Sequence, residues 1–455
     1  MNTASADTIC ALSTPHGVGG IAVVRISGGK AFEIVSLLFS KAIQPENARK
    51  AMFGVIKDGN SILDEVVVTS FVGPHSFTGE DVVEIACHGS RYIQQRLLEL
   101  LMECGCRMAM PGEYTQRAYL NGRMDLSRAE AVGDVIAAES AAAHRQAVHQ
   151  MRGGFSKEIN SLRERLIEFA SLLELELDFS EEDVEFADRT QLRVLLNEIK
   201  RVVLRLKQSF KLGNALKNGI PVAIVGAPNA GKSTLLNALL NEDRALVSDI
   251  AGTTRDTVEE VLNIQGYSYR FIDTAGIRDT EDVVEKMGIE RSLEKIQHAQ
   301  LILLLVDSEK ESEEEVLAML ARMNEEKRDE AKILLLWNKS DRASKSLNNK
   351  GHVDELAISA KAGVGIEEIK NWLIRAFENE VIEGETVVTN ARHFEALRQA
   401  DLSLDDLIGG MESGIPSDLL AVDLRKILYH LAEITGEVKA DDILNSIFGK
   451  FCIGK

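Results

Sequence analysis

Apolar positions along this chain follow two periods, and the places where one gives way to the other divide it into regions. Ile21 to Ile26 (IAVVRI) is a β-branched run closed by Ser27-Gly28-Gly29 and reads as a strand. Ala51 to Ile56 and Val66 to Val72, on either side of Asp58-Gly59-Asn60, read as a hairpin or as neighbouring strands, and Val82 to Ala86 alternates around Glu84. Between Ser27 and Pro45, and between Arg91 and Cys104, the spacing is helical. Residues 1–121 are therefore expected to form an α+β domain.

From about residue 122 to 214 the period stays helical. Ser127 and Glu130 fit a capping box ahead of the proline-free run AEAVGDVIAAESAAAHRQAVHQM, which predicts one helix carrying His144 and His149. Phe155 to Asp178 and Thr190 to Leu212 follow, with Leu162, Leu166, Phe169, Leu173 and Leu177 on one face. Ala391 to Ile408 and Leu419 to Ile434 return to the same period. Residues 122–214 and 381–455 are thus expected to be two parts of one all-α bundle, with residues 215–380 inserted between them. The inserted stretch alternates strand and helix, with strands expected at Pro221–Val225, Val258–Ile264, Tyr269–Ile272, Leu301–Val306, Lys332–Trp337 and Glu355–Ile358. That order predicts a doubly wound α/β sheet whose ligand lies outside the carboxyl ends of the strands.

Composition narrows the reading. The 455 residues leave room for several domains, and a 45% hydrophobic fraction supplies their cores. A net charge of −19 argues against a broad basic face. No apolar run approaches the roughly 20 residues of a membrane span, and no basic segment precedes an apolar one at the N-terminus. Five cysteines, an odd number, suit free thiols in a reducing compartment, so a cytoplasmic protein is expected. Cys104 and Cys106 form a lone C-x-C with no second ligand pair.

The loops after the expected strands carry the chemistry. Gly226, Gly231, Lys232 and Ser233 in GAPNAGKS fit the P-loop between a strand and a helix, where backbone N–H groups of Asn229, Ala230, Gly231 and Thr234 can surround phosphate. Lys232 would reach the β- and γ-phosphates and Ser233 would ligand Mg²⁺. In GTTRD, Thr254 would ligand Mg²⁺ while the γ-phosphate is present. Asp273-Thr274-Ala275-Gly276 is D-x-x-G, with Asp273 on Mg²⁺ through water and the Gly276 N–H on the γ-phosphate. Asn338-Lys339-Ser340-Asp341 is N-K-x-D, whose Asp341 accepts from the two donors of guanine, and Ser359-Ala360-Lys361 backs up the base contact.

These motifs, in this order, resemble the Ras-like GTPase superfamily over residues 215–380. One departure is Ile277, which stands where Ras-like enzymes carry a water-orienting glutamine. Glu285 is either the replacement or a solvated glutamate at a helix entry. Asn229 either coordinates a monovalent cation or bonds within its loop. Arg25 and Glu84, charges inside strands, either face solvent or line a pocket for a small polar ligand.

Adding IAVVRISG, FTGEDVVEI and LNGRMDLS to the G-domain motifs, and the ending FCIGK to both, the chain resembles the tRNA uridine-modification GTPases of the MnmE/TrmE family over essentially its full length. The resemblance implies an N-terminal domain that dimerises and binds 5-formyl- or methylene-tetrahydrofolate through Arg25, Glu84, Arg123 and Lys455. It places the family's cysteine on Cys452. It implies GTP hydrolysis assisted by K⁺ on Asn229, Ser248, Ile250 and Thr253, with Glu285 positioning water. Family members commonly have threonine at the Ser248 position. A flavin-binding partner, MnmG/GidA, would share the modification of C5 of the wobble uridine of tRNA in a heterotetramer or larger assembly. Two other classes fit some of the motifs: a folate-dependent one-carbon enzyme with a regulatory GTPase, and an RNA- or ribosome-assembly GTPase.

Overall fold

Short β-branched runs in the N-terminal part pair into one sheet because each has a dry face to hide. A computed structural model describes residues 7–178, 189–241, 259–272, 296–328, 331–343, 353–378, 386–437, 444, 447–449 and 451–454. In it, β1 (Thr8–Leu12), β2 (Gly19–Ser27), β3 (Ala51–Asp58), β4 (Ser61–Phe71), β5 (Val82–Gly89) and β6 (Cys106–Met108) form a sheet of order β3-β4-β5-β2-β1-β6. All pairs are antiparallel except β1 with β6. Helices α1 (Ala31–Leu38) and α2 (Arg91–Glu103) cover one face, where Val24, Ile26, Val66, Val68 and Ile85 are buried with Val35 and Leu97. Alternation does the rest, since the intervening residues of the same strands point the other way.

A third helix, α3 (Glu113–Leu120), precedes α4 (Leu126–Ala137), α5 (Ala141–Met151), α6 (Gly154–Asp178) and α7 (Arg189–Asn218). The Ala-rich run expected as one helix is two. Ser140 opens the second by accepting the Ala143 N–H at 3.1 Å. The expected Ser127/Glu130 capping box is also displaced. Asp125 caps α4 by accepting the Arg128 N–H at 2.9 Å, and Ser127 lies buried inside the helix, where its Oγ accepts from Gln150 Nε2. Of the expected α6 face, Leu162, Leu166 and Leu173 are buried and Phe169 is half-buried, while the Leu177 side chain lies outside the described residues.

After α7 the chain forms β7 (Ile220–Val225), α8 (Lys232–Asn241), β8 (Glu260–Ile264), β9 (Tyr267–Phe271), β10 (Leu301–Asp307), α9 (Glu313–Glu326), β11 (Lys332–Asn338), β12 (Asp354–Ala357) and α10 (Ile366–Glu378). The sheet order is β12-β11-β10-β7-β9-β8, parallel except for β8. Strand β10 is buried at every position, as a central parallel strand between two helical layers must be. Leu301, Leu303 and Leu305 pack with α8 and α10, whereas Ile302, Leu304 and Val306 pack with Val316 and Leu320 of α9. Helices α11 (Ala391–Glu412) and α12 (Ser417–Thr435) follow. Arg425 of α12 bonds Glu174 of α6, and Arg193 of α7 bonds Glu412 of α11.

The chain divides into two units. One comprises residues 1–137, 147–204 and 395–455, and the other residues 138–146 and 205–394.

Candidate functional site

Strand β7 is followed by Gly226, whose φ is 157° and where a Cβ would collide with the Leu305 carbonyl of β10. The loop therefore leaves the sheet at a point no other residue could occupy without displacing β10. At Gly231 φ is 103°, and a Cβ would run into Asn338 Nδ2. Between them Asn229 sits exposed at φ 65°, a left-handed conformation that asparagine tolerates. The Lys232 ammonium folds over this loop, donating to the carbonyls of Gly226 (2.8 Å) and Ala227 (2.9 Å). Ser233, half-buried, and Thr234, exposed, follow in the first turn of α8. A lysine over a ring of backbone groups at a helix N-terminus fits a phosphate chain.

The loops after the carboxyl ends of β7, β11 and β12 converge here. Asn338, 4% exposed at the end of β11, donates through Nδ2 to the Ala230 carbonyl at 2.7 Å and accepts the Ala360 N–H on Oδ1 at 3.0 Å. It joins the phosphate loop to the Ser359-Ala360-Lys361 loop after β12. Asp341 is exposed, and its Oδ1 accepts from Ser359 Oγ at 2.7 Å. That bond holds its carboxyl below the ordinary aspartate range against slight desolvation, so it stays an acceptor at neutral pH. Ser359 and Ala360 are buried, and Lys361 is exposed.

Lys339, with φ 64°, turns back to bond Asp307 Oδ2 at 2.5 Å. Asp307, the last residue of β10, was not among the residues expected from sequence. Its only signal there is an acid closing the apolar run LILLLV. Burial pushes its carboxyl up, but the Lys339 ammonium and the Glu309 N–H outweigh burial and hold it below the usual range. Of the other expected nucleotide residues, Ser248, Ile250, Thr253, Thr254, Asp273, Thr274, Ala275, Gly276 and Glu285 lie outside the described residues.

In the N-terminal sheet, Arg25 and Glu84 are register partners on β2 and β5 and pair with each other at 2.8 Å, 22% and 31% exposed. The guanidinium also lies 5.5 Å from the Phe77 ring centre and 5.7 Å from that of Tyr114. Phe77 belongs to the loop that carries Gly79, where a Cβ would meet Arg123 Cγ at 3.2 Å. Arg25, Glu84 and Arg123 are thereby gathered around one loop, the first two half-buried and Arg123 exposed. The chain end comes to the same sheet. Ser13 Oγ donates to the Gly454 carbonyl, Gly454 is buried against Leu12, and Leu12 pairs with Val24, next to Arg25. Cys452 is exposed, and Lys455 lies outside the described residues.

Sequence reasoning also missed the ion-pair cluster beneath that loop. Arg117, 4% exposed, bonds Glu113 at 2.9 Å, Asp7 at 2.8 Å and Glu80 at 3.2 Å, while Glu80 accepts from Ser27 Oγ at 2.7 Å. The i,i+4 spacing of Glu113 and Arg117 is its only trace in the sequence. Among the described residues no group of three or more His, Cys, Asp or Glu could hold a metal ion, so Cys104 and Cys106 form no such group with described partners. Also among the described residues, no helix is long and apolar enough to cross a membrane.

Comparison with known proteins covers nearly all of this chain. Residues 8–123 match the profile of the GTP-binding protein TrmE N-terminus, and residues 126–452 match that of the MnmE helical domain. The chain is 53% identical to the tRNA modification GTPase MnmE of Cytophaga hutchinsonii, over 99% of this chain and 98% of that protein. It is 52% identical to the protein of the same name from Porphyromonas gingivalis, again over 99% and 98%. The G domain of the T. maritima FeoB iron transporter is 27% identical, with a TM-score of 0.26, covering 34% of this chain and 98% of that one. With both profiles matched and half or more of its residues shared along the whole length of such relatives, this chain belongs to the MnmE family of tRNA modification GTPases.

Proposed function

We propose that this chain is a K⁺-activated GTPase that, with a flavin-binding MnmG/GidA partner, modifies C5 of the wobble uridine of tRNA using a tetrahydrofolate one-carbon unit. Membership of the family makes it a GTP hydrolase acting in tRNA modification, with Mg²⁺ as the ordinary companion of GTP. The observation that carries the GTPase reading is the convergence at the strand ends. Asn338 ties the phosphate loop to the Ser359 loop, and Asp341 stands charged and exposed beside them.

Lys232 and the Asn229–Thr234 backbone hold phosphates, and Asp341 selects guanine. Ser233 and Thr254 ligand Mg²⁺, which neutralises charge on the transferring phosphoryl group. Asp273 and the Gly276 N–H complete the γ-phosphate side, and Ser359-Ala360-Lys361 supports the base. Asn229, Ser248, Ile250 and Thr253 hold K⁺, and Glu285 orients water in place of Ile277. The left-handed, exposed Asn229 supports its part, since its side chain is free to face a cation.

Arg25, Glu84, Arg123 and Lys455 bind the folate. The Arg25–Glu84 pair offers both a cation and an acceptor at a half-exposed site, which suits a ligand carrying carboxylates and a donor edge. Cys452 is assigned to the chemistry on its exposure beside that sheet. A second copy of the chain covers the open sheet face, where Phe53, Val67, Ala86 and Val23 line up across β3, β4, β5 and β2. Phe53 is 59% exposed there and Val67 40%, a row that a lone domain rarely shows to water. The domains are residues 1–121, 122–214, 215–380 and 381–455, the third inserted in the helical body, and the protein works in the cytoplasm.

The deciding experiment is mass analysis of tRNA wobble nucleosides after incubation with this chain, the partner, GTP, folate and either K⁺ or Na⁺. Modified uridine in K⁺ alone is expected. Modification at equal rates in both salts would remove the cation assignment, and GTP turnover with no modified nucleoside would remove the transfer chemistry.

A further inference from the structure

We infer that Asp307 is a positioning residue for guanine-nucleotide binding: by anchoring the Lys339 ammonium it presets the loop that reads the base. This rests on the reading of Asn338 to Asp341 as the base-reading loop. Each described side chain of that loop with a chemical task has its own tether. Asn338 is fixed to Ala230 and Ala360, Asp341 to Ser359, and Lys339 to Asp307.

The Asp307 tether is built by topology. Asp307 and Asn338 are register partners at the ends of β10 and β11, so the residue after Asn338 emerges directly over the Asp307 carboxylate. Lys339 adopts φ 64°, which carries its side chain back over the strand ends. The Asp307 carboxylate is occupied on both oxygens: Oδ2 takes the Lys339 ammonium, and Oδ1 takes the Glu309 N–H at 3.1 Å. The Asp307 N–H is itself held by Glu311 Oε2 at 2.8 Å.

Stability alone does not account for such a pair. The Asp307 side chain is 3% exposed and that of Lys339 27%, so the carboxylate has lost its water. The Coulombic gain of a pair like this roughly repays desolvation, and an apolar pair of the same shape would serve stability equally well. What the pair supplies is a fixed direction for a flexible lysine stem, and a preset loop loses less freedom when a ligand arrives.

The test uses the full-length chain and fluorescent N-methylanthraniloyl-GDP. Asp307→Asn should speed dissociation about tenfold, the signature of leaving one member of a buried charge pair without its partner. In a Lys339→Met background the same substitution should change dissociation less than about twofold, because the link is already cut. Additive losses in the two backgrounds, or an unchanged rate in the single variant, would overturn the inference. Asp307→Glu keeps the charge and serves if the amide variant does not fold; dissociation should stay within about threefold of the parent, and a tenfold rise would overturn the inference as well. Wild-type chain that fails to bind the probe would overturn the nucleotide-site reading itself, an outcome distinct from normal binding by both parent and variant.

Discussion

Asn338 and Asp341 stand three residues apart in one motif and do opposite kinds of work. Asn338 is 4% exposed and spends its amide on two backbone groups from different loops. Asn338→Ala strands the Ala230 carbonyl and the Ala360 N–H in a dry place, at about 1–3 kcal/mol for a buried group left unpaired. Urea unfolding followed by a probe in the nucleotide unit should therefore show a loss of about 2 kcal/mol or more, together with weaker GDP binding. An unchanged midpoint would mean that water reaches both groups. Asp341 is exposed, with Ser359 Oγ bonded to it and Arg342 Nε 3.9 Å away, so Asp341→Asn should leave that midpoint within about 0.5 kcal/mol, as surface changes do. Its effect belongs in base choice: the amide presents a donor where guanine also has one, and selectivity for GTP over xanthosine triphosphate should fall. Retained selectivity would take the base-reading role from Asp341.

At the scale of elements, what the sequence disclosed depended on whether burial was apolar. Strand β10 reads LILLLVD and β11 reads KILLLWN, unbroken apolar runs that made both strands legible, and the motif that opens at Asn338 marked the end of β11 as a candidate site. Helix α3, EYTQRAYL, was not. It buries Glu113, Thr115 and Arg117 beside Tyr114 and Ala118, so its inner face carries no hydrophobic period. Strand β6 has three residues, too few for alternation to declare itself, and β1, TICAL, is buried at every position and has no alternation to show. The loop from Asn338 to Asp341 was legible as a motif, yet Asp307, which Lys339 bonds, was not, because that pairing depends on strand register rather than on spacing along the chain. The cap of α4 shows the same limit at one residue. Ser127 and Glu130 have the right spacing, but the helix begins earlier and Asp125 holds the Arg128 N–H. Asp125→Ala should destabilise by about 1 kcal/mol in chemical denaturation, the ordinary worth of an N-cap. No loss would return the cap to another residue.

The hidden polar face of α3 has a pH signature. Burial raises the Glu113 carboxyl, but Arg107, the Met110 N–H and Arg117 outweigh it, and its folded pKa lies below the ordinary glutamate value. A depressed carboxyl contributes its stability above the unfolded pKa, about 4.3, and loses it as pH falls through the lower folded value. Arg107 and Arg117 are both raised and remain charged throughout that range. Acid unfolding of the unit that contains α3 should accordingly steepen below about pH 4, and Glu113→Gln should flatten that limb while lowering stability at pH 7. Parallel acid limbs in parent and variant would show that other carboxylates dominate.

At the scale of the whole molecule, residues 205–394 with residues 138–146 form a unit with a core on each side of its sheet. The short segment contributes little. Ala142 packs into the larger core, and its N–H donates to the Gly266 carbonyl at 2.9 Å. Losing one alanine side chain and one backbone bond costs about 2 kcal/mol. A unit of about 190 residues at roughly 0.05–0.15 kcal/mol per residue has on the order of 10 kcal/mol or more in hand. Expressed alone, residues 205–394 should therefore fold, melt cooperatively and bind GDP within about threefold of the full chain, since every described residue of the proposed nucleotide site, and the bonds that tie its loops together, lie inside them. Calorimetry on the fragment decides the matter. A single cooperative transition that shifts upward with GDP supports a self-contained insertion, because only a ligand that binds the folded form moves it. A fragment that is collapsed but non-cooperative, or that binds only when residues 138–146 are added in trans, would mean that the nucleotide unit draws its order from the helical segment. In that case the proposed boundary at residue 215 would be in the wrong place.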